Sequence, residues 1–122
     1  MNNCKELKIW QKSVDLAVKV YEITNGFPKD ERYGLTSQIR RSAVSIPSNI
    51  AEGIGRNYKK DTIQFLHISR GSLYELETHL SIALMLELIN EVTYRNLELM
   101  IDEEVRIING MIRSYENRTD LK

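Results

Sequence analysis

The stretch Gln38-Ile-Arg-Arg-Ser-Ala-Val-Ser-Ile-Pro-Ser-Asn-Ile-Ala-Glu-Gly53 combines a helical spacing of apolar residues with residue types that helices usually avoid. Ser and Asn compete for backbone hydrogen bonds, and a proline inside a helix removes one of them. Such departures from local preference are typical of functional or tightly constrained sites. The stretch therefore predicts a helix that carries a special surface.

Apolar residues on both sides of this stretch recur at intervals of three and four, which predicts helices throughout. The helix that contains the stretch begins between Lys29 and Leu35 and ends at Gly53 and Gly55. Its apolar stripe is Leu35, Ile39, Ala43, Ile46 and Ile50. An earlier helix ends before Gly26 and Pro28, and its stripe is Leu7, Trp10, Val14, Ala17 and Tyr21.

Two further helices follow. Asn57 is the predicted N-cap of the third helix, which reaches Leu88, and Leu66, Leu73 and Leu80 mark its apolar face. Asn90 is expected to stop this helix, to cap the next one, or both. The fourth helix carries Tyr94, Leu97, Ile101, Val105, Ile108, Met111 and Tyr115, and a polar tail follows from Glu116 to Lys122. The sequence thus predicts an all-α, up-down four-helix bundle that forms a single domain, residues 1–122.

Pro47 predicts a kink in the second helix, because it leaves the carbonyl of Ala43 without its usual donor. A serine hydroxyl or a water molecule is expected to satisfy that carbonyl. Small and polar residues line this helix and the third one, and Gly71 costs roughly 1 kcal/mol relative to Ala unless a close approach compensates. The predicted close-packing or subunit interface is Ser45, Pro47, Ser48, Glu52, Ser69, Gly71 and Ser72. The alternative is a kinked core helix whose serines are satisfied internally.

Charge is distributed unevenly although the net charge of the 122 residues is zero. Residues 29–70 carry eight Lys and Arg against four Asp and Glu, whereas residues 71–122 carry five against ten. This asymmetry fits a partner surface, and it fits head-to-tail self-association equally well.

Basic residues and one tyrosine surround the second helix and its exit loop. Such a set can contact a phosphate backbone and stack on a base. The candidate nucleic-acid or partner surface is Arg40, Arg41, Arg56, Tyr58, Lys59 and Lys60. The alternative is a solvated loop whose arginines pair with Glu52 or with the acidic helix of a neighbouring subunit.

Signals for an enzyme are poor. No glutamate lies three residues before His67 or His79, so the Glu-x-x-His pairs of di-iron bundles are absent from the sequence. We predict no enzyme, with no catalytic residue, metal ligand or cofactor. The lone Cys4 fits a reducing cytosol, the N-terminus lacks the apolar core of a signal peptide, and no apolar run approaches ~18 residues. We therefore expect a cytoplasmic protein without a membrane segment.

Three blocks of the sequence resemble a known family. They are Tyr33-Gly-Leu35, Arg40 to Gly53, and Phe65-Leu-His-Ile-Ser-Arg-Gly-Ser-Leu-Tyr-Glu-Leu-Glu77, with Trp10-Gln11 and Val20-Tyr21 in the first helix ahead of Phe27-Pro28. The chain is similar to the four-helix-bundle proteins encoded within bacterial 23S rRNA intervening sequences. This resemblance implies a bundle that assembles as a ring, a homopentamer. The fold is related to the accessory protein of diversity-generating retroelements, a strongly basic protein that binds nucleic acid and a reverse transcriptase, whereas this chain is neutral overall.

Two functional hypotheses follow. The first is a non-catalytic homo-oligomer associated with RNA or DNA, and with rRNA in particular. The second is a ring or scaffold that binds a partner protein without nucleic acid.

Overall fold

The computed structural model describes residues 4–119, and the ends of the predicted domain, residues 1–3 and 120–122, lie outside the described residues. Its helices, in chain order, are α1 (Lys8–Thr24), α2 (Leu35–Ile54), α3 (Lys59–Met85) and α4 (Glu91–Glu116). Two short 3-10 turns, Cys4–Glu6 and Lys29–Glu31, precede α1 and α2. Within this part of the chain there is no β-strand.

The helices pack as an up-down bundle. Each helix contacts its neighbours in sequence, and α1 also contacts α4, whereas the described parts of α1 and α3, and of α2 and α4, do not meet. The chain reverses between α2 and α3, because Thr62 near the start of α3 contacts Gly53 near the end of α2. This architecture confirms the predicted all-α, up-down four-helix bundle and places α2 diagonally opposite α4.

The buried core draws residues from all four helices. The predicted stripes of α2, α3 and α4 supply most of it, as expected for amphipathic helices whose apolar faces pack together. The stripe predicted for α1 is wrong, because only its Ala17 is buried and the neighbouring face with Leu16 and Val20 packs into the core instead. Its largest fully buried apolar side chains are Leu16, Ile39, Ile46, Ile50, Leu66, Leu73, Leu76, Leu80, Leu97, Ile101 and Ile108.

Most helix boundaries agree with the sequence. Asn90 caps α4 as predicted, since its side chain accepts a hydrogen bond of 2.8 Å from the Thr93 N–H. The predicted cap of α3 is wrong: Tyr58 occupies the N-cap position instead of Asn57, and its side chain makes no capping hydrogen bond.

The end of α3 also differs from the prediction, because the helix stops at Met85 and not at Leu88. Glu87 takes a left-handed conformation with φ of 61°, and the Leu88 N–H turns back to the Ala83 carbonyl at 2.9 Å. The Glu87 N–H bonds the Leu84 carbonyl at 3.0 Å, which completes a Schellman end. Glycine is the usual residue at the left-handed position, so a glutamate there gives no signal in the sequence.

Pro47 lies inside α2, which is helical on both sides of it. The Ser48 hydroxyl donates to the Val44 carbonyl at 2.8 Å, so this serine does not serve Ala43 as expected. The kink at Pro47 stays a prediction. Among residues 4–119, none of the helices has the length and apolarity needed to cross a bilayer.

Candidate nucleic-acid surface and helix interface

Serine hydroxyls join α2 directly to α3. The Ser69 hydroxyl donates to the Ile46 carbonyl at 2.9 Å in the buried core. One turn further along α3, the Ser72 hydroxyl donates to the Ser45 hydroxyl at 2.8 Å, which also accepts from Asn49 at 2.9 Å. These three serines of the predicted close-packing set are therefore brought together within one chain.

Gly53 makes the closest approach between the two helices, although the sequence alone indicates only a helix stop there. A Cβ at this position would lie 2.9 Å from the Phe65 Cβ and 3.3 Å from the Thr62 carbonyl oxygen. The Thr62 hydroxyl donates to the Gly53 carbonyl at 2.7 Å. A signal was present, because Ile46, Ile50 and Gly53 continue the four-then-three spacing of the apolar stripe.

The other members of the predicted interface lie on other surfaces, and Pro47 lines a groove between α1 and α2. A Cβ on Gly71 would meet no atom within 4 Å among the described residues. Ser48 and Glu52 are exposed and line an open groove of about 410 Å³ on the outer side of α2, together with Ala51 and Arg56. A role for these residues between subunits stays a prediction.

The predicted basic surface divides into two parts at opposite ends of α2. Arg40 and Arg41 lie in its second turn, whereas Arg56, Tyr58, Lys59 and Lys60 lie where α2 passes into α3. From Arg41 to the end of α2 at Ile54, just before Arg56, the helix extends about 20 Å at ~1.5 Å per residue. The six residues therefore do not form one continuous patch within a single chain.

At the beginning of α2, the two adjacent arginines have different environments. Arg40 donates from Nε to the Thr24 hydroxyl at 2.8 Å and from Nη2 to the Asn25 side-chain oxygen at 3.1 Å. Its guanidinium also lies 4.5 Å from the centre of the Tyr21 ring. Arg40 thus fastens α2 to the end of α1, while Arg41 is exposed and makes no hydrogen bond or ion pair within residues 4–119.

At the other end of α2, internal contacts hold two of the basic side chains. Arg56 forms an ion pair of 2.9 Å with Glu52 and lies 4.7 Å from the centre of the Phe65 ring. Lys59 donates to the Arg118 carbonyl at 2.8 Å, just beyond the end of α4. Lys60 is exposed and has no such partner in the described chain, and Tyr58 is 53% exposed.

An apolar groove of about 380 Å³ lies between α1 and α2. Val14, Ala17 and Pro47 line its floor and walls, and the exposed side chains of Val18 and Val44 border it. Tyr21, which the sequence placed on the apolar stripe of α1, also lines this groove and is 42% exposed.

The contact between α1 and α4 is polar at its surface and contains a buried acid. Lys12 and Glu103 form an ion pair of 2.8 Å. Glu104 is only 1% exposed, and neither carboxyl oxygen has a hydrogen-bond partner among the described residues. Burial, and to a smaller extent the charge of Glu103, raise the pKa of Glu104 to about 8. Sequence reasoning missed this group, although its position lies on the apolar stripe between Ile101 and Ile108.

Each of the two histidines contacts a polar side chain nearby. Nδ1 of His79 lies 3.5 Å from the Ser42 hydroxyl, but that hydroxyl donates to the Gln38 and Ile39 carbonyls at 3.0 Å. His67 is paired with the Arg70 guanidinium at 2.7 Å. Within the described residues, His, Cys, Asp and Glu side chains do not gather in groups of three that could hold a metal ion.

Comparison with known proteins adds a family and a fold. The model of the family described as 23S rRNA-intervening sequence protein matches residues 5–110. A solved structure, of a protein with unknown function from the S23 ribosomal protein family of Bacteroides thetaiotaomicron, is similar with a TM-score of 0.77 and 24% identity, over 85% of this chain and 97% of that chain. At that identity the similarity supports the fold alone. A search of curated proteins found no match.

Proposed function

The chain belongs to the 23S rRNA-intervening sequence protein family, and on this premise we propose that it is a non-catalytic, homo-oligomeric bundle protein that associates with RNA. The expected RNA is rRNA, which the family description names. The protein would act by binding and not by chemistry.

The observation that carries the proposal is the cationic turn between α2 and α3. Residues 55–60 contain Arg56, Lys59 and Lys60 and no acidic residue. Within this turn the side chains of Tyr58 and Lys60 are exposed, and the Lys59 side chain is anchored at the end of α4. Exposed cations beside an aromatic ring supply the two interactions that unpaired RNA uses, namely phosphate contacts and base stacking.

The test is the binding of single-stranded RNA to a variant in which Arg56, Lys59 and Lys60 are replaced by Gln. Removal of each cation that binds a phosphate should lower the slope of log K against log salt by roughly 0.7 for a single strand. Binding should therefore weaken and become less dependent on salt, while circular dichroism shows unchanged helical content. Arg106→Gln and Arg113→Gln, on acidic α4, form the matched control and should bind as the wild type does.

Two outcomes would contradict the proposal in different ways. An unaltered salt slope in the triple variant would show that the RNA contacts another surface. A lack of binding to structured RNA, single-stranded RNA and DNA at low salt would reject nucleic-acid association altogether.

Self-association is supported by the apolar groove between α1 and α2. Val18 and Val44 expose apolar surface there, which favours a covered state. Basic α2 and acidic α4 lie at opposite corners of the bundle, so the α2 side of one copy fits the α4 side of the next. Contacts of this head-to-tail kind form a ring when the rotation between successive copies closes, and the family resemblance implies a ring of five subunits.

Light scattering tests the assembly. The wild type should be an oligomer across micromolar concentrations, and Val44→Glu should shift it toward the monomer, because the new carboxylate would be buried in the groove. The exposed Val92→Glu, at the start of α4 and away from the groove, is the matched control. A wild-type monomer across this range would contradict the proposal.

The second candidate function is a ring that binds a partner protein, and the same apolar groove favours it. In that case a pull-down would recover the partner after nuclease treatment, and RNA would not compete. Retention that depends on intact nucleic acid would count against this alternative.

A further inference from the structure

A cationic groove lies where the 3-10 turn Lys29–Glu31 leads into α2. Its open volume is about 330 Å³, at the lower end of the range for small-ligand sites. Two tyrosines and three arginines dominate its lining, namely Tyr21, Tyr33, Arg32, Arg40 and Arg41. Of these five residues, the sequence pattern indicated a binding role only for the adjacent arginines.

Two of the three guanidinium groups are available to a ligand. Arg40 is held by the end of α1 and shapes one wall of the groove. Arg41 is exposed, and Arg32 lies 5.8 Å from the centre of the Tyr33 ring. Neither Arg32 nor Arg41 has a carboxylate partner within the described chain. The groove therefore presents two positive charges that are not neutralised internally.

Tyr33 provides an aromatic face beside these charges. Its side chain is 89% exposed, more than any other large apolar or aromatic side chain of the described residues. An exposed ring next to arginines is the arrangement on which single-stranded nucleic acids stack.

The wall of the groove also contains an unsatisfied hydroxyl. Thr36 is 6% exposed, lines the groove, and its hydroxyl has no hydrogen-bond partner within residues 4–119. Buried hydroxyls are normally paired with protein or water. The first N–H of α2 is already engaged, since the Leu35 N–H donates to the Glu31 carboxylate at 3.4 Å. The Thr36 hydroxyl is itself buried, so the groove offers guanidinium groups and a ring, and it does not depend on the helix terminus.

We propose that this groove binds one unpaired nucleotide of an RNA strand. The base stacks on Tyr33, and the flanking phosphates contact Arg41 and Arg32. This inference rests on the proposed RNA association, and it adds a second contact site at the opposite end of α2 from the turn at residues 55–60.

The experiment measures the binding of a short, unstructured, fluorescently labelled RNA to the full chain at low salt. Tyr33→Ala should weaken binding at least about 5-fold, because stacking on an aromatic side chain is worth ~1–3 kcal/mol per base. Tyr33→Phe, which keeps the ring, should bind as the wild type does. Tyr74→Ala is the matched control, since this tyrosine is 49% exposed on α3 and lies outside the groove.

Two further readouts locate the contact. Arg41→Gln should lower the salt slope of log K by about 0.7. RNA that carries 4-thiouridine should cross-link to the peptide containing Tyr33 on irradiation, and mass spectrometry would identify that peptide. Both Tyr33→Ala and Arg41→Gln should leave the melting temperature unchanged, because Tyr33 and Arg41 are exposed.

The outcomes separate this inference from the proposed function. If the wild type binds RNA and only the triple variant at residues 56, 59 and 60 loses affinity, the proposed function stands and the nucleotide groove is wrong. If the wild type binds no RNA, both are overturned. If uridine 5′-monophosphate binds as tightly as the RNA, the groove is a site for free nucleotides and the assignment to an RNA strand is overturned.

Discussion

Replacement of Glu104 by Gln should stabilise the bundle at neutral and alkaline pH. Glu104 is buried between α4 and α1, its oxygens have no partner among the described residues, and burial raises its pKa to about 8. A carboxyl group with a raised folded-state pKa binds its proton more tightly in the folded protein than in the unfolded chain. Stability is therefore greatest below the unfolded pKa and falls as the pH rises toward the folded pKa.

The magnitude follows from the two pKa values. The unfolded value is 4.5 and the folded value is about 8, so stability is lost between these two pH values. Each pH unit in this window is worth about 1.36 kcal/mol. At pH 7 the stability of the wild type should therefore be lower by about 3 kcal/mol than at pH 4.5. Gln carries no ionisable proton and escapes this decrease, although its amide remains buried.

The assay is urea unfolding followed by circular dichroism at fixed protein concentration, repeated from pH 4.5 to 8.5. The difference in unfolding free energy between Glu104→Gln and the wild type should grow in favour of the variant as the pH rises. Glu75→Gln, on the exposed surface of α3, is the control and should keep the wild-type slope. A wild-type slope in Glu104→Gln, or a difference that shrinks with pH, would refute the reasoning.

Other substitutions test the packing of α2. Gly53→Ala should destabilise the fold by about 1–3 kcal/mol through a clash with Phe65. Gly71→Ala should stabilise it by about 0.5–1 kcal/mol unless Gly71 meets another subunit, in which case light scattering would show weakened assembly. Pro47→Ala should straighten α2 and raise helix stability by up to ~3 kcal/mol. If this variant assembles normally and the native helix proves straight, the predicted kink is contradicted. Arg40→Gln should lower the thermal midpoint, since the variant cannot reproduce the hydrogen bonds of the guanidinium to the end of α1, and an unchanged midpoint would contradict this role.

The architecture was predictable because apolar spacing shows which segments form amphipathic helices, although in α1 two apolar stripes lie side by side and the sequence favoured the one that is not buried. The stripe of α2 from Ile39 to Ile50 is fully buried, and Asn90 caps α4 by the side-chain chemistry typical of that position. The two boundary errors lie where backbone geometry overrides residue preference. Glu87 takes a conformation that usually belongs to glycine, and Tyr58 begins α3 without a side-chain cap.

The candidate sites were less predictable, because sequence patterns do not show what a side chain touches. In the sequence, Gly53 indicates the end of a helix. In the structure it is a contact residue, because Phe65 leaves no room for a side chain there. Arg40 and Arg41 are chemically identical neighbours, but one turn of helix has about 3.6 residues, so they point roughly 100° apart. That rotation directs Arg40 to the end of α1 and leaves Arg41 in solvent.

The two ends of α2 have the same arrangement of basic residues, in which one cation is bonded within the bundle and the next one is exposed. At the beginning of the helix Arg40 is held by the end of α1, and beyond its end Lys59 is held by the Arg118 carbonyl just after α4. In each case the next residue along the chain, Arg41 or Lys60, is exposed and projects from backbone that its neighbour has fixed. A cation on fixed backbone loses less conformational entropy when it meets a phosphate than one on a loose loop. In each pair the inner residue positions a helix end, and the outer residue is exposed and, under the proposed function, is the one that contacts RNA.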